Sequence, residues 1–412
     1  MIKNKTELEE KIDELESFIL LGKLNPMRIL LRHLGEIGKK DKVAAVSVRA
    51  SQKRQESVVG VDVGSMKKLA KEQGNIPVVI VEADEERRQK AKELAEEHGF
   101  DNFSFVDYDF ISELGSGQHV GLDFLCVGFV KCGTSTLHMA LKKNKSVYLP
   151  KKKETLYLCS WKNKFDNGPE MLKTIYFPDA LESGKVVGNI EPAYHREAES
   201  CYECFGKNTK IIFMVRNPVS ATYSYFKMLM RKTSDMNQVR YYKKYRKFDL
   251  RMFDDYIDDT ILSGKDKRFC YMDYIEQYLK YYDRENVKVV IFEEFIEDPL
   301  NAMNEIQDFI GCERKEYLEL PHSNEGSMVS KNYRCAKINR KLYAMDVKLR
   351  TERDPAVRKK HEEYKKKIHK RTLVENNEKM LDSSRDTLNE YYRESIKRLE
   401  EFCGKSLEGK WY

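Results

Sequence analysis

A glycine-containing turn with a lysine inside it is the segment of the sequence best suited to bind an anion. Residues 125–137 read LCVGFVKCGTSTL, an apolar run followed by a turn and then by an amphipathic stretch. In a strand, turn and helix of this kind, backbone N–H groups point into the turn and the helix dipole attracts phosphate or sulfate oxygens. The predicted oxyanion site consists of Lys131, Cys132, Gly133, Thr134, Ser135 and Thr136.

The position of the lysine distinguishes this loop from the common ATP-binding loop. In the pattern G-x-x-x-x-G-K-[ST], the lysine follows the second glycine and reaches the β- and γ-phosphates. Gly128, Gly133 and Ser135 fit that pattern, but Thr134 occupies the lysine position and Lys131 lies within the loop. A lysine placed there favours the 5′ end of a shorter phosphate-containing group. A P-loop kinase or another ATP-dependent phosphotransferase stays open as an alternative.

A second arginine-containing segment follows about eighty residues later. Residues 210–226 form an apolar run that ends at Arg216, where Asn217 is suited to cap a helix and Pro218 to its first turn. Ser220 and Ser224 then lie one turn apart on a single helix face. A guanidinium binds a phosphate through two parallel hydrogen bonds, and a serine hydroxyl adds a third. Two separate anion sites are what a nucleotide with phosphates at its 5′ and 3′ positions requires.

Together, the two segments resemble the 5′-phosphosulfate loop and the 3′-phosphate motif of sulfotransferases that use 3′-phosphoadenosine 5′-phosphosulfate (PAPS). The likeness is greatest to the branch that modifies glycans, which includes heparan sulfate sulfotransferases and bacterial relatives. It extends over residues 120–412, because residues 149–155, 186–194, 278–282, 287–299 and 309–311 resemble further segments of that family. The resemblance implies a P-loop α/β domain of three layers with a parallel sheet.

The same resemblance implies a reaction and its residues. A sulfuryl group passes from PAPS to a carbohydrate hydroxyl, leaving adenosine 3′,5′-bisphosphate, and no metal ion is expected. Lys131 neutralises the leaving phosphate and Glu154 acts as the general base. His195 is the alternative base, as in sulfotransferases that act on small phenols or steroids.

Two family features have weaker counterparts in this sequence. The glycan branch often has Lys-Thr-Pro where residues 190–192 read Ile-Glu-Pro, which leaves the acceptor sugar unspecified. The family's late Lys-Gly-Arg loop has its best candidate in residues 327–334, from Ser327 onward, where Ser330 and Lys331 are the predicted nucleotide contacts.

The elements that position these residues can be read from apolar spacing. We predict a helical hairpin over residues 1–40, a small α/β module of unknown role over 41–118, and the sulfotransferase domain over 119–412, with a linker at residues 115–117. The predicted strands of the last domain are residues 123–129, 186–188, 210–215 and 287–292. In the module they are 43–48, 58–63, 77–81 and 103–106, with a helix at 85–98.

Composition narrows the functional class. The 412 residues include 74 basic and 67 acidic side chains, and this net charge of +7 is too small to indicate a nucleic-acid binder. Charges interrupt each apolar cluster near the amino terminus, so neither a signal peptide nor a membrane span is predicted. Nine cysteines without disulfide spacing indicate reduced thiols and a cytoplasmic protein. Cys201 and Cys204 lack the second pair that a zinc site needs.

A nucleotide-binding scaffold without catalytic activity is a further alternative.

Overall fold

The computed structural model describes residues 1–48, 56–115, 120–160, 168–178, 180, 183–321, 328–349 and 355–412. The chain forms two compact units. The first consists of Met1–Leu122, Pro150–Glu182 and Glu197–Thr209, and the second of Asp123–Leu149, Ser183–Arg196 and Lys210–Tyr412. Among the described residues, no helix combines the length and the apolar character needed to cross a bilayer.

Numbered along the chain, the strands are β1 (Phe18–Gly22), β2 (Val43–Val48), β3 (Ser57–Val58), β4 (Val61–Asp62), β5 (Val78–Val81), β6 (Phe103–Phe105), β7 (Phe124–Gly128), β8 (Val147–Tyr148), β9 (Val186–Ile190), β10 (Lys210–Val215), β11 (Val287–Ile291), β12 (Met328–Ser330) and β13 (Leu373–Glu375). The helices are α1 (Lys5–Asp13), α2 (Leu24–Glu36), α3 (Met66–Gln73), α4 (Glu85–Glu96), α5 (Tyr108–Leu114), α6 (Thr134–Leu141), α7 (Gly168–Tyr176), α8 (Ala198–Phe205), α9 (Pro218–Lys232), α10 (Met236–Tyr245), α11 (Arg251–Tyr256), α12 (Tyr271–Tyr278), α13 (Phe292–Glu297), α14 (Pro299–Ile310), α15 (Tyr333–Lys348), α16 (Pro355–Thr372) and α17 (Asp382–Cys403).

The first unit is built on a parallel sheet in the order β2-β1-β5-β6. Alternate residues of β1 face opposite sides: Phe18 and Leu20 enter one apolar cluster, and Ile19 and Leu21 enter the other. Both faces of the sheet are therefore covered, which agrees with the mainly apolar residues of its strands. Nothing of residues 49–55 or 116–119 is described, so part of the predicted linker at 115–117 lies outside the described residues.

Two predictions for this unit are wrong. Residues 1–40 contain the two expected helices, α1 and α2, but β1 lies between them and pairs with β2 and β5. Residues 1–40 are therefore part of the α/β unit and do not form a helical hairpin, because the buried run Phe18–Gly22 pairs as a strand. The strand predicted at residues 58–63 is instead a tight hairpin of β3 and β4, which turns at Val59 and Gly60 with positive φ angles.

The second unit contains a five-stranded sheet in the order β11-β10-β7-β9-β8, with all neighbours parallel. The α/β class and the parallel sheet predicted from the sequence are thereby confirmed. The chain leaves β7 toward one side of the sheet, through β8 and β9, and then crosses to β10 on the other side. In open α/β sheets, ligands bind at the carboxyl ends of strands where the order reverses in this way. In this sheet that point lies between β7 and β10.

Candidate active site

The loop after β7 has the conformation of an anion-binding turn. Lys131 and Gly133 both have positive φ angles, 68° and 89°, and α6 begins at Thr134. A positive φ is unusual for lysine and is typical of strained functional turns. Within the described residues, no acceptor is found for the amides of Lys131, Gly133 and Thr134. These N–H groups, together with the start of α6, form a cradle suited to an oxyanion.

The side chain of Lys131 lies in a positively charged environment. Burial is the main reason that its pKa falls to about 8, and the nearby charges of Arg231, Arg216 and Lys232 lower it further. Its ammonium forms no ion pair with any carboxylate in the described part of the chain. A partly buried ammonium among other cations is stabilised by an anion, and this is the environment expected at a phosphate or sulfate site.

The second predicted helix start forms as expected from its sequence. Asn217 caps α9 by accepting a hydrogen bond from the Ser220 amide at 2.9 Å, and Pro218 is the first helical residue. Arg216 stands between the end of β10 and this cap. β10 pairs with β7 over residues 210–213, and the two strands are parallel. Arg216 and the Lys131 loop therefore both follow the carboxyl ends of neighbouring strands.

Direct contacts join the two helix starts. The Arg216 guanidinium donates to the Lys131 carbonyl oxygen at 3.4 Å. Tyr271 lies behind this contact: its hydroxyl donates to the Arg216 carbonyl oxygen at 2.6 Å and lies 3.6 Å from the Cys132 sulfur. The two segments predicted to bind anions therefore lie side by side.

The far side of Arg216 is supported by residues that the sequence did not place at the site. Its guanidinium carbon lies 5.0 Å from the centre of the Phe292 ring, at the start of α13. The Asn217 amide nitrogen Nδ2 donates to the Trp411 carbonyl oxygen at 2.6 Å, and the Trp411 indole donates to Glu293 at 3.0 Å. Glu293 also accepts a hydrogen bond from the Asn217 backbone amide at 3.0 Å. No local sequence signal connects these residues, since they come from distant parts of the chain.

The remaining loop residues differ in what they offer a ligand. Cys132 is buried, its amide donates to the Phe129 carbonyl oxygen, and burial raises the pKa of its thiol to about 12. The Thr136 amide donates to Gly133. Thr134 is buried, while the side chains of Ser135 and Thr136 are partly exposed in the first turn of α6. The amides of Gly133 and Thr134 are accordingly the best placed backbone donors in the loop.

Ser224 lies on α9 one turn beyond Ser220 and is partly exposed. The late candidates lie in and after β12, which packs against α9. Ser330 is fully buried, and its hydroxyl accepts a hydrogen bond from Asn339 at 2.8 Å. Lys331 follows it and is exposed. Ser327 lies outside the described residues. The nucleotide contacts proposed for Ser330 and Lys331 stay predictions.

Glu154 lies in the first unit. It is exposed, has a φ of 57°, and pairs with Lys153 at 2.7 Å. To give its proton to Glu154, an acceptor hydroxyl would have to hydrogen-bond to the carboxylate that pairs with Lys153. The general-base role of Glu154 stays a prediction.

His195 lies in the second unit, next to Phe129 at the start of the loop after β7. Its ring centre is 5.1 Å from that of Phe129 and 4.8 Å from that of Tyr274. Nδ1 donates to the Pro192 carbonyl oxygen at 2.8 Å, and Nε2 is buried without a hydrogen-bond partner among the described residues. Burial lowers the pKa of His195 to about 3, so the ring is neutral at physiological pH. Nε2 thus carries the lone pair that a base requires.

The sequence analysis also missed cations on α9 that lie near Lys131 and Arg216. Lys227, Arg231 and Lys232 follow Ser224 on the same helix, and each lies close enough to Lys131 or Arg216 for their charges to interact. The spacing of three and seven residues between Ser224, Lys227 and Arg231 was a signal that could have revealed them.

A parallel sheet, with a loop suited to bind an anion and an arginine at its reversal point, is the arrangement of a P-loop-like α/β fold. The model of the sulfotransferase domain family matches residues 122–383. The chain belongs to the sulfotransferase family, and the resemblance found in its sequence is confirmed at that level. The match does not distinguish the glycan-modifying branch from other branches.

Several solved structures are similar to the chain at low identity. A sulfotransferase from Alicyclobacillus acidocaldarius is 20% identical, with 69% of this chain and 97% of that chain covered and a TM-score of 0.41. The sulfotransferase domain of the curacin biosynthetic pathway is 12% identical, with coverages of 50% and 80% and a TM-score of 0.31. The sulfotransferase domain of the Synechococcus PCC 7002 olefin synthase is 14% identical, with coverages of 49% and 77% and a TM-score of 0.29. No curated protein sequence matches the chain.

Proposed function

We propose that the protein transfers a sulfuryl group from PAPS to a hydroxyl group of a carbohydrate. The observation that carries this proposal is the 3.4 Å contact between the Arg216 guanidinium and the Lys131 carbonyl oxygen. It supports a single ligand with one anionic group at each helix start. PAPS is such a ligand, since its phosphosulfate and its 3′-phosphate lie on opposite sides of the ribose.

In the proposed reaction, the acceptor oxygen attacks sulfur while the bond between sulfur and the phosphate oxygen breaks. Negative charge grows on the departing phosphate of adenosine 3′,5′-bisphosphate, and the Lys131 ammonium and the amides of Gly133 and Thr134 stabilise it. The acceptor proton passes to a general base. Arg216 and Ser224 hold the 3′-phosphate and keep the sulfur in line with the attacking oxygen.

Glu154 is the base implied by the resemblance to the glycan branch, and His195 is the second candidate. The observation in favour of His195 is its buried Nε2, which has no hydrogen-bond partner among the described residues and lies beside the ring of Phe129. A His195 base would suit a small-molecule acceptor, whereas a Glu154 base would suit a carbohydrate. Nine cysteines without the spacing of a disulfide framework favour a reducing compartment such as the cytoplasm.

Product analysis tests this proposal. The protein is incubated with PAPS and a panel of oligosaccharides, phenols and steroids, and the products are examined by mass spectrometry. We expect a sulfated oligosaccharide together with adenosine 3′,5′-bisphosphate. If only phenols or steroids are sulfated, the acceptor is a small molecule and the proposal of a carbohydrate acceptor is wrong. Bisphosphate binding without any product would favour a nucleotide-binding scaffold.

Thermal shift separates the proposal from the kinase alternative, because a ligand that binds the native state raises the melting temperature by mass action. Adenosine 3′,5′-bisphosphate should stabilise the protein more than ATP with Mg²⁺ does. Stabilisation by ATP with Mg²⁺ alone would contradict the proposed function.

A further inference from the structure

Lys227 presents a second cation beside Arg216. It lies on α9 three residues after Ser224 and seven after Ser220, so the three side chains share one helix face. Its ammonium lies 4.8 Å from the centre of the Tyr223 ring, and the side chain is partly buried. The position of the lysine is thereby restricted to the face that carries the predicted phosphate ligand.

The aromatic ring beneath Lys227 is itself held in place. The Tyr223 hydroxyl donates to the Glu378 carbonyl oxygen at 2.7 Å, and its ring packs edge-on against Phe253 with the centres 4.9 Å apart. A cation over a fixed aromatic ring loses less conformational freedom when it binds a ligand. Lys227 is preorganised in this sense, as Arg216 is by the ring of Phe292.

The charges of Lys227 and Arg216 are not balanced by carboxylates. Within the described residues, neither side chain forms an ion pair, and the polar partner of the Arg216 guanidinium is the Lys131 carbonyl oxygen. Burial lowers the pKa of Lys227, and the charge of Arg216 lowers it further. Burial and the nearby guanidinium of Arg216 disfavour the charged form of Lys227. A phosphate dianion bound between the two cations would favour that charged form.

We propose that Lys227 is a third ligand of the nucleotide 3′-phosphate, beside Arg216 and Ser224, and that it makes the site select nucleotides that carry this phosphate. This inference rests on the proposed function. It assigns Lys227 to the 3′ side because the lysine shares its helix face with Ser224 and lies near Arg216, whereas Lys131 belongs to the other helix start.

The test compares two nucleotides that differ only in the 3′-phosphate. Calorimetry measures the affinities of adenosine 3′,5′-bisphosphate and adenosine 5′-monophosphate for the unchanged protein and for Lys227→Met, which keeps the apolar stem. We expect the bisphosphate affinity to fall at least about tenfold, in line with the loss of one hydrogen bond between charged groups, and the monophosphate affinity to stay within about twofold. Lys227→Arg should recover most of the bisphosphate affinity.

The control is Lys243→Met on α10, an exposed lysine without an ion pair in the described part of the chain, which should leave both affinities unchanged. Equal affinities of Lys227→Met and the unchanged protein for the bisphosphate would overturn the assignment, as would an equal loss for both nucleotides. If the unchanged protein binds neither nucleotide, the proposed function fails and the assignment with it.

Discussion

The ring of Phe292 occupies the space that a side chain at Gly133 would need. A Cβ at Gly133 would lie 2.4 Å from the ring carbon Cδ2, which is far below van der Waals contact. The guanidinium carbon of Arg216 lies 5.0 Å from the centre of the same ring. One aromatic side chain therefore supports both helix starts, and the absence of a side chain at Gly133 allows them to come together.

We expect Gly133→Ala to weaken binding of adenosine 3′,5′-bisphosphate by at least about tenfold, because the new methyl group must displace the Phe292 ring. It should also destabilise the fold by about 1–2 kcal/mol, the usual effect of a Cβ in the left-handed region. Gly311→Ala is the matched control: its φ of 75° is similar, but no atom lies within 4 Å of the added Cβ. Calorimetry should show normal binding in Gly311→Ala, and normal binding in Gly133→Ala would contradict the role given to this contact.

Arg216→Ala and Lys131→Ala should both lose activity, but in different ways. Arg216→Ala removes the proposed ligand of the 3′-phosphate and should weaken nucleotide binding by about ten- to a hundredfold. Lys131→Ala removes the charge proposed to stabilise the leaving group and should lower kcat beyond its effect on KM. Steady-state kinetics with PAPS separates the two effects. An Arg216→Ala variant with an unchanged KM for PAPS would speak against the 3′-phosphate site.

The base is assigned by comparing Glu154→Gln with His195→Gln. If Glu154 takes the acceptor proton, Glu154→Gln should bind the bisphosphate normally and lower kcat by about a hundredfold or more. His195→Gln should then keep most of its turnover. The opposite pattern transfers the base role to His195. Because His195 is buried, thermal unfolding must show that its variant is folded before its rate is interpreted.

Nucleotide affinity should depend on pH through Lys131. Its pKa of about 8 in the free protein means that the ammonium loses its proton as pH rises through 8, well below the range of an ordinary lysine. The affinity for the bisphosphate should therefore fall above pH 8, by up to about tenfold per pH unit for this single proton. The arginine of Lys131→Arg keeps its charge above pH 8, so the affinity of this variant should not fall there. An identical pH profile in both proteins would show that another group titrates.

The first unit contains a buried ion pair whose loss should be measurable. The Lys23 ammonium lies 2.6 Å from Glu203, both side chains are 4% exposed, and the Tyr108 hydroxyl donates to the same carboxylate at 2.5 Å. Lys23→Met leaves this carboxylate without its counter-charge and should lower the free energy of unfolding by about 3–5 kcal/mol. The double variant Lys23→Met, Glu203→Leu should be less destabilised. Denaturant unfolding measures both, and equal losses would show that the charge is not the cause.

The parts of the site that the sequence predicted are those set by local signals. The helix start at Asn217 and Pro218 depends on capping within a few residues, and the structure has it where it was expected. The bounds of β10 were likewise predicted from one apolar run. Lys227 was within reach of the same reasoning, since it is three residues from Ser224.

The parts that the sequence did not predict depend on contacts between distant segments. The chain returns several times to the carboxyl ends of β7 and β10. Arg216 and its neighbours there contact Phe292, Tyr271 and Trp411. The strand β1 was missed for another reason: a short run of buried, mainly apolar residues fits a strand and a helix equally well by periodicity. Its pairing with β2 and β5 determined the outcome.

The most direct test of the central claim is a crystal structure of the protein with adenosine 3′,5′-bisphosphate. We predict that its 5′-phosphate lies on the Lys131 ammonium and the amides of Gly133 and Thr134, and that its 3′-phosphate lies on the Arg216 guanidinium. A bisphosphate bound elsewhere, or bound with only one of its phosphates at these two helix starts, would contradict the account.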